Sequence, residues 1–171
     1  MNAYVALLRA INVGGTGKLA MTDLRRLCQE CAFQNVATYI QSGNVVFRSK
    51  LAEAGVKRKL GRALAGKMGR PFGVLVRTAP ELLGVVNQNP FPKAAPNRVL
   101  IMFFDEPPPP DSLKTVVVPG REELALRGRE LFIHFPDGIG RSKLKVPFQT
   151  IGTGRNLNTT KKLAEMVQAI G

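Results

Sequence analysis

The sequence has few of the residue types on which protein chemistry most often depends. Its 171 residues include no tryptophan, one histidine and two cysteines. His134 with scattered carboxylates makes neither a catalytic triad nor a dyad, and no metal-ligand spacing is complete. Two cysteines cannot form a disulfide framework, which favours a reducing compartment. The sequence therefore predicts no metal, no cofactor and no identifiable catalytic group.

Long apolar runs are missing as well. The first apolar run, Ala3 to Leu8, is short, has no basic leader and is followed by Arg9. These features indicate a core strand rather than a signal peptide. With 44% apolar and 22% charged residues, the composition is typical of a globular protein. We therefore expect a cytoplasmic protein.

Acidic residues are scarce relative to basic ones. Lys and Arg total 25 against 12 Asp and Glu, which gives a formal net charge of +13. The excess is local, because residues 57–70 and 141–162 each contain basic residues and no acidic one. An anionic partner is therefore expected to dock on one of these two segments.

Hydrophobic periodicity predicts an α+β protein of two ferredoxin-like units, whose antiparallel sheets carry helices on one face. The first unit, residues 1–86, has the order β-α-β-β-α-β and then a short helix that opens with a capping box at Thr78–Glu81. Residues 87–97 are rich in proline and are predicted to be a linker. Residues 98–171 repeat part of the pattern, with a short helix capped at Asp111 and a hairpin across Arg127-Gly128-Arg129, and end in a helix from about Thr159.

A glycine-containing segment near the start of the chain resembles a nucleotide-binding loop in spacing only. Gly15–Ala20 follows its strand at too great a distance, and no acidic residue stands where a ribose would need one. The P-loop pattern also fails, because Leu19 follows Lys18 where Ser or Thr is required. The loop still predicts a plausible anion site, because Arg9, Asn12 and Lys18 meet backbone N–H groups at one sheet edge.

A second glycine-containing segment, Gly152–Thr159, is expected to lead directly into the last helix, with Asn158 or Thr159 as the cap. Free N–H groups at a helix N-terminus attract anions, and the Arg155 guanidinium can bind a phosphate or carboxylate with two hydrogen bonds. The alternative is ordinary helix capping, with solvated lysines and Arg155 bonded to a structural carbonyl.

The pattern Cys28-Gln29-Glu30-Cys31 has no second pair of ligands, so a zinc site would lack half of its donors. Both cysteines follow the apolar face of the first helix rather than its N-terminus, where a thiolate would be stabilised. We therefore predict that both thiols pack in the core.

The long second helix is strongly basic and can follow nucleic-acid phosphates or lie on an acidic membrane; the alternative is a solvated face. Tyr4 and Phe47 are the aromatic residues that could stack on RNA bases, although no RNA-binding consensus is present. The basic residues of the helix are Lys57, Arg58, Lys59, Arg62, Lys67 and Arg70.

Three segments together resemble the bacterial family called domain of unknown function 1697: Leu7–Gly15, Thr38–Phe47 and Gly152–Thr159. The resemblance spans nearly the whole chain and implies an α+β fold of two ferredoxin-like units. It implies no activity and no catalytic residues. Ala10 stands where the family usually has glycine, and Leu157 where it usually has tryptophan.

Three hypotheses follow, and an enzymatic activity is neither indicated nor excluded. In the first, three polar loops form one site for a phosphorylated or acidic small ligand. In the second, the basic helices bind nucleic acid without sequence preference. In the third, the protein is a non-catalytic assembly module that forms a homodimer through its sheet edges. The ligand-binding residues of the first hypothesis are Arg9, Asn12, Lys18, Gln41, Ser42, Asn44, Thr153, Arg155 and Asn156.

Overall fold

The computed structural model describes residues 1–9, 19–40, 43–146 and 151–171. Contacts among these residues divide the chain into two units, Met1–Leu83 with Leu163–Gly171, and Gly84–Lys162. The end of the last helix therefore groups with the first unit. The predicted division into 1–86, 87–97 and 98–171 stays a prediction about separate domains.

The first unit contains one four-stranded antiparallel sheet with the strand order β2-β3-β1-β4. A helix connects β1 to β2 and another connects β3 to β4, so the element order agrees with the pattern in the sequence. The elements are β1 (Asn2–Leu8), α1 (Met21–Glu30), β2 (Gln34–Tyr39), β3 (Asn44–Ser49), α2 (Glu53–Met68) and β4 (Val74–Thr78).

The core of the first unit lies between one face of this sheet and helices α1 and α2. Alternate residues of β1, Tyr4, Ala6 and Leu8, point into this core, as the two-residue period of a strand requires. Val56 and Leu60 of α2 join them at the helical spacing. The opposite face of the sheet is buried too, because β1 alternates between two faces and every residue from Ala3 to Leu8 is buried.

Helix α3 (Ala79–Asn87) follows β4 directly, and its start confirms the capping box. The Thr78 backbone N–H donates to Glu81 Oε2 at 2.8 Å, and the Glu81 N–H donates to Thr78 Oγ1 at 3.3 Å. These two bonds satisfy N–H groups that the first helical turn leaves without partners.

The second unit has another four-stranded antiparallel sheet, with the order β6-β7-β5-β8. A two-residue turn containing Gly128, at φ +57°, joins β6 to β7, where the sequence predicts a hairpin. Its elements are β5 (Val99–Phe103), β6 (Glu123–Arg127), β7 (Glu130–His134), β8 (Thr153–Asn156) and α4 (Leu157–Ile170), with 3₁₀ helices at Pro96–Arg98, Ser112–Thr115 and Ile139–Arg141.

The two sheets share one arrangement of strands but not of helices. In the described residues between β5 and β6 and between β7 and β8, the connections contain short 3₁₀ helices in place of α-helices. The helix predicted after Asp111 is the 3₁₀ turn Ser112–Thr115. The α+β class is confirmed, with two antiparallel four-stranded sheets and four α-helices among the described residues, whereas two complete ferredoxin-like units are not confirmed. A second core forms around Met102, Phe104 and Leu131. No helix in the described part of the chain is long and apolar enough to cross a bilayer.

Candidate functional site

The segment Gly152–Thr159 is a strand followed directly by the start of a helix, and not a loop. Thr153–Asn156 forms β8, which pairs with β5, and α4 begins at Leu157, earlier than predicted. The cap of α4 is Asn156, whose Oδ1 accepts the Thr159 backbone N–H at 2.9 Å. One of the N–H groups expected to hold an anion is therefore already bonded within the protein.

Arg155 lies inside the second unit, opposite Ile101 in the strand pairing. Its side chain is buried, and Nη1 donates to Thr153 Oγ1 at 2.7 Å and to the Gly154 carbonyl at 2.9 Å. Burial lowers the pKa of the guanidinium to about 10, because a charge is costly to hold away from water. An anion at Arg155 would have to compete with these internal partners, as the capping alternative anticipates.

The glycines of this segment have a packing role that spacing alone does not reveal. A Cβ atom on Gly152 would lie 2.6 Å from the Phe104 ring and 2.8 Å from the Phe103 carbonyl oxygen. A Cβ atom on Gly154 would lie 3.0 Å from the sulfur of Met102. The contacts at Gly152 are closer than real Cβ atoms allow, whereas the contact at Gly154 is tight against a flexible side chain. Gly152 in particular therefore lets the chain at β8 approach β5 closely.

Two other predicted site residues lie at one end of β1 and β3, the two inner strands of the first sheet. Leu7 of β1 pairs with Asn44 of β3, and the Leu8 N–H donates to the Gly43 carbonyl at 2.9 Å. Arg9, which follows β1, and Asn44, which begins β3, therefore lie at the same end of these two strands. Asn44 is fully buried and its Nδ2 donates to the Tyr39 carbonyl at 3.0 Å. Arg9 is half-buried, and its side chain lies against Gly73.

The remaining residues of the small-ligand hypothesis, Asn12, Lys18, Gln41 and Ser42, lie outside the described residues. Beside them, Ile40 has a φ of +50°, a left-handed conformation that β-branched residues rarely adopt. Strained residues of this kind concentrate at binding and catalytic sites. The small-ligand hypothesis for these loops stays a prediction.

Helix α2 carries five of the six basic residues named for nucleic-acid binding, and Arg70 follows its end. The structure places these residues in different surroundings. Arg58, Lys59 and Arg62 are exposed and line one side of the helix. Lys57 is half-buried and already interacts with another group of the protein. The Arg70 guanidinium stacks on the Phe72 ring, 4.5 Å from its centroid. Lys67 is exposed in the last turn, where the helix dipole favours a cation.

We define the α2 groove as the surface lined by Leu51, Gly55, Arg58, Lys59 and Arg62. It is an open depression of about 340 Å³. Gly55 contributes no side chain to its floor, and a Cβ atom there would lie 3.3 Å from Cβ of Leu51. The groove therefore has apolar walls and three cationic side chains.

The cations of the α2 groove have no acidic partners among the residues that the structure describes. Arg58 and Arg62 are one helical turn apart, about 6 Å along the axis, so each can bind a separate anionic group. Leu51 and Gly55 were absent from the sequence prediction. Gly55 lies three, four and seven residues before Arg58, Lys59 and Arg62, and Leu51 lies four residues before Gly55. This spacing is the signal that could have placed them on this stripe.

The two aromatic residues considered for base stacking are both inside the protein. Tyr4 and Phe47 are 1% and 0% exposed, and the Tyr4 hydroxyl donates to the Leu51 carbonyl at 2.7 Å. Phe47 stacks on Phe33 with ring centroids 4.3 Å apart. Neither ring can reach a nucleic-acid base in this structure, so recognition of RNA by stacking on this sheet has no support.

Both cysteines are buried in the first unit, as predicted. Burial and, to a smaller extent, the neighbouring Cys31 raise the pKa of the Cys28 thiol to about 12. Burial also raises the pKa of Cys31, and its Sγ lies 3.8 Å from the Lys59 carbonyl oxygen, to which it donates. Both side chains are therefore neutral thiols at neutral pH, and the described residues hold no cluster of three metal-ligating groups.

This environment predicts slow reaction of both thiols with an aromatic disulfide reagent at pH 7.5. We expect labelling of the native protein to be roughly 100-fold slower than labelling in urea, because burial both shields the thiols and keeps them protonated. Absorbance at the released thiolate band measures the rate. Gln29→Cys, at an exposed position of the same helix, is the control and should label quickly; equally fast labelling of the native chain would contradict the prediction.

Comparisons with known proteins place the chain in a family. The sequence profile of the family "protein of unknown function (DUF1697)" matches residues 1–132, more than half of the chain. The protein belongs to this family, as its three segments suggested. No curated protein matches the sequence.

A solved structure of a conserved bacterial protein from Streptococcus pneumoniae is similar to this chain throughout. The two share 25% sequence identity and superpose with a TM-score of 0.81, over 97% of this chain and 98% of the other. The fold is therefore shared, and the comparison attaches no activity to it.

Proposed function

We propose that this protein binds the phosphate backbone of nucleic acid at the α2 groove, without reading its sequence. The observation that carries the proposal is the set of three exposed cations, Arg58, Lys59 and Arg62, with no acidic partner among the described residues. Closely spaced cations replace the counterions that surround nucleic-acid phosphates, and the release of those counterions raises the entropy. The groove offers charge but no base-reading aromatic ring, which favours backbone contacts over base contacts.

The shape of the groove favours a polymer over a single phosphorylated metabolite. A site for a small ligand usually encloses most of the ligand and offers several fixed polar groups. The α2 groove is open, and its polar groups are long flexible side chains along one stripe of the helix. Such an arrangement suits phosphates that continue in a row along a strand.

The proposal predicts strong salt dependence in fluorescence anisotropy with a labelled 16-base-pair duplex. Three phosphate contacts give a slope of log K against log salt of about −3, so affinity should fall roughly 50-fold between 50 and 200 mM KCl. The variant Arg58→Gln, Lys59→Gln, Arg62→Gln should bind at least about 30-fold more weakly at 50 mM KCl and lose most of that slope.

The matched control removes the same number of charges elsewhere, with Arg25→Gln, Lys93→Gln and Arg127→Gln. These three cations are also exposed, and the control should change affinity less than about 3-fold. Equal weakening by both variants would show that net charge alone drives binding and would overturn the α2 groove. Binding to phosphatidylserine vesicles but not to the duplex would overturn the choice of nucleic acid.

A phosphorylated or acidic small ligand at the polar loops is the second proposal. Arg9, which directly follows the Leu8–Gly43 hydrogen bond, and the strained Ile40 support it. Thermal-shift measurements with inorganic pyrophosphate test this second proposal. A thermal shift by pyrophosphate that survives 200 mM KCl and disappears in Arg9→Gln would place the anion site at these loops and overturn the α2 groove.

A further inference from the structure

A pocket of about 190 Å³ lies within the second unit, at the end of the β6–β7 hairpin that is far from its turn. The pairing of Glu123 with His134 brings the segment before β6 next to the segment after β7. Glu122 comes from the first segment, and Arg141, Ser142 and Lys143 come from the second. None of these residues belongs to the α2 groove.

Hydrogen bonds hold the two walls of the pocket together. The Ser142 hydroxyl donates to Glu122 Oε1 at 2.6 Å, and the Gly120 N–H donates to Glu122 Oε2 at 2.9 Å. The Leu144 N–H donates to Ser142 Oγ at 3.1 Å. A second link joins the same two segments, because Arg121 donates to Asp137 in an ion pair. The pocket therefore has its shape before any ligand arrives.

The walls carry charges of both signs. The Ser142 hydroxyl is the largest of the causes that hold the pKa of Glu122 below its usual range, so Glu122 is a carboxylate at neutral pH. The Arg121 guanidinium does the same for Asp137. Arg141 and Lys143 lie on the same wall as Asp137, and the charge of Arg141 also contributes to the lowered pKa of Asp137. Neither cation has a carboxylate within ion-pair distance in the described part of the chain.

The chemistry of Glu122 favours binding over catalysis. A carboxylate with a lowered pKa is a weak base, so it does not activate the Ser142 hydroxyl as a nucleophile near pH 7. A carboxylate has about four acceptor positions, and each oxygen of Glu122 already accepts one hydrogen bond from within the protein. It can therefore accept a further hydrogen bond from a ligand.

The geometry points to a binding site for a small carboxylic acid that carries a hydroxyl or ammonium group beside its carboxylate. Arg141 and Lys143 bind the carboxylate of the ligand, and Glu122 accepts the hydroxyl or ammonium. The buried ring of Phe135 and the side chain of Pro136 give the pocket an apolar part. A volume of about 190 Å³ equals roughly six water molecules, which suits a ligand of this size.

Titration of the full chain by ¹H–¹⁵N correlation spectroscopy tests this site with four probes. Glycolate and glycine carry both groups, acetate lacks the donor, and ethylene glycol lacks the carboxylate. We expect saturable shifts of the Gly120 and Leu144 amides with glycolate or glycine, at least about tenfold weaker binding of acetate, and no response to ethylene glycol. Which of the first two binds more tightly decides between the hydroxyl and the ammonium.

Variants then measure how much each wall of the pocket contributes to ligand binding. Arg141→Gln with Lys143→Gln should weaken binding at least about tenfold, and Glu122→Gln should remove the preference over acetate. Arg127→Gln, at the turn of the same hairpin, is the control and should leave binding unchanged. Lys143→Gln alone, at an exposed position, provides a second variant if the double variant does not fold. Shifts that rise linearly without saturation, or equal shifts with acetate, would overturn the site.

Discussion

Replacement of Phe47 by alanine is expected to destabilise the protein by about 3–5 kcal/mol, the range measured for deletion of a buried aromatic ring. Phe47 is fully buried in the middle of the first sheet. It stacks on Phe33 and lies 6.1 Å from the Tyr4 ring, centroid to centroid. The surrounding strands cannot close the resulting cavity, because they are held on both sides by the sheet.

Urea unfolding followed by circular dichroism measures this change. Phe47→Leu should cost less, because it keeps most of the buried volume. Phe72→Ala, at a half-buried position on the rim of the same core, should also cost less. Duplex binding should be unchanged below the unfolding transition. If Phe47→Ala instead left stability intact and weakened nucleic-acid binding, the ring would lie at a binding surface and the packing described above would be wrong.

Replacement of Gly152 by alanine is expected to destabilise the protein by about 3 kcal/mol, at the upper end of the usual overpacking cost. The added methyl group would meet the Phe104 ring at 2.6 Å and the Phe103 carbonyl oxygen at 2.8 Å. The Phe104 ring can move only within a packed core, and the Phe103 carbonyl belongs to the last residue of β5. Relief therefore requires β8 to move away from β5.

Gly140→Ala provides the matched control in the same unit, because a Cβ atom there meets nothing within 4 Å. Its free energy of unfolding should stay within about 0.5 kcal/mol of the parent protein. Thermal and urea unfolding of both variants measure the difference. Equal stability of Gly152→Ala and Gly140→Ala would contradict the close approach of β8 to β5, and with it the packing role assigned to this glycine.

The sequence of Gly152–Thr159 is compatible with two structures, an anion-binding loop and a closely approached strand. Glycine before a helix is typical of a phosphate-binding loop, and the same glycine is equally typical of a strand that another chain segment approaches closely. Only the pairing of β8 with β5, about fifty positions earlier in the chain, separates the two. The same pairing turns Arg155 into the interior, so the basic run 141–162 does not present all of its charges on one surface.

The basic run on α2 could be interpreted further from sequence, because a helix repeats every 3.6 residues. That period correctly placed Val56 and Leu60 in the core and the basic residues on the remaining surface. It did not show which cations keep an acidic partner or stack on a ring. Lys57 and Arg70 do have partners, and their separation from Arg58 and Arg62 depends on side chains that the period does not specify.

The sequence by itself determined the features that rest on short-range physics. These are the helical faces, the β6–β7 hairpin, the capping box at Thr78–Glu81 and the burial of the cysteines, all of which follow from periodicity and from hydrogen bonds between near neighbours. The tertiary structure alone decided which distant segments meet. The interior position of Arg155 and the pocket between Glu122 and Ser142 exist because strand pairing is a long-range choice, and alternation along one strand does not specify its partner.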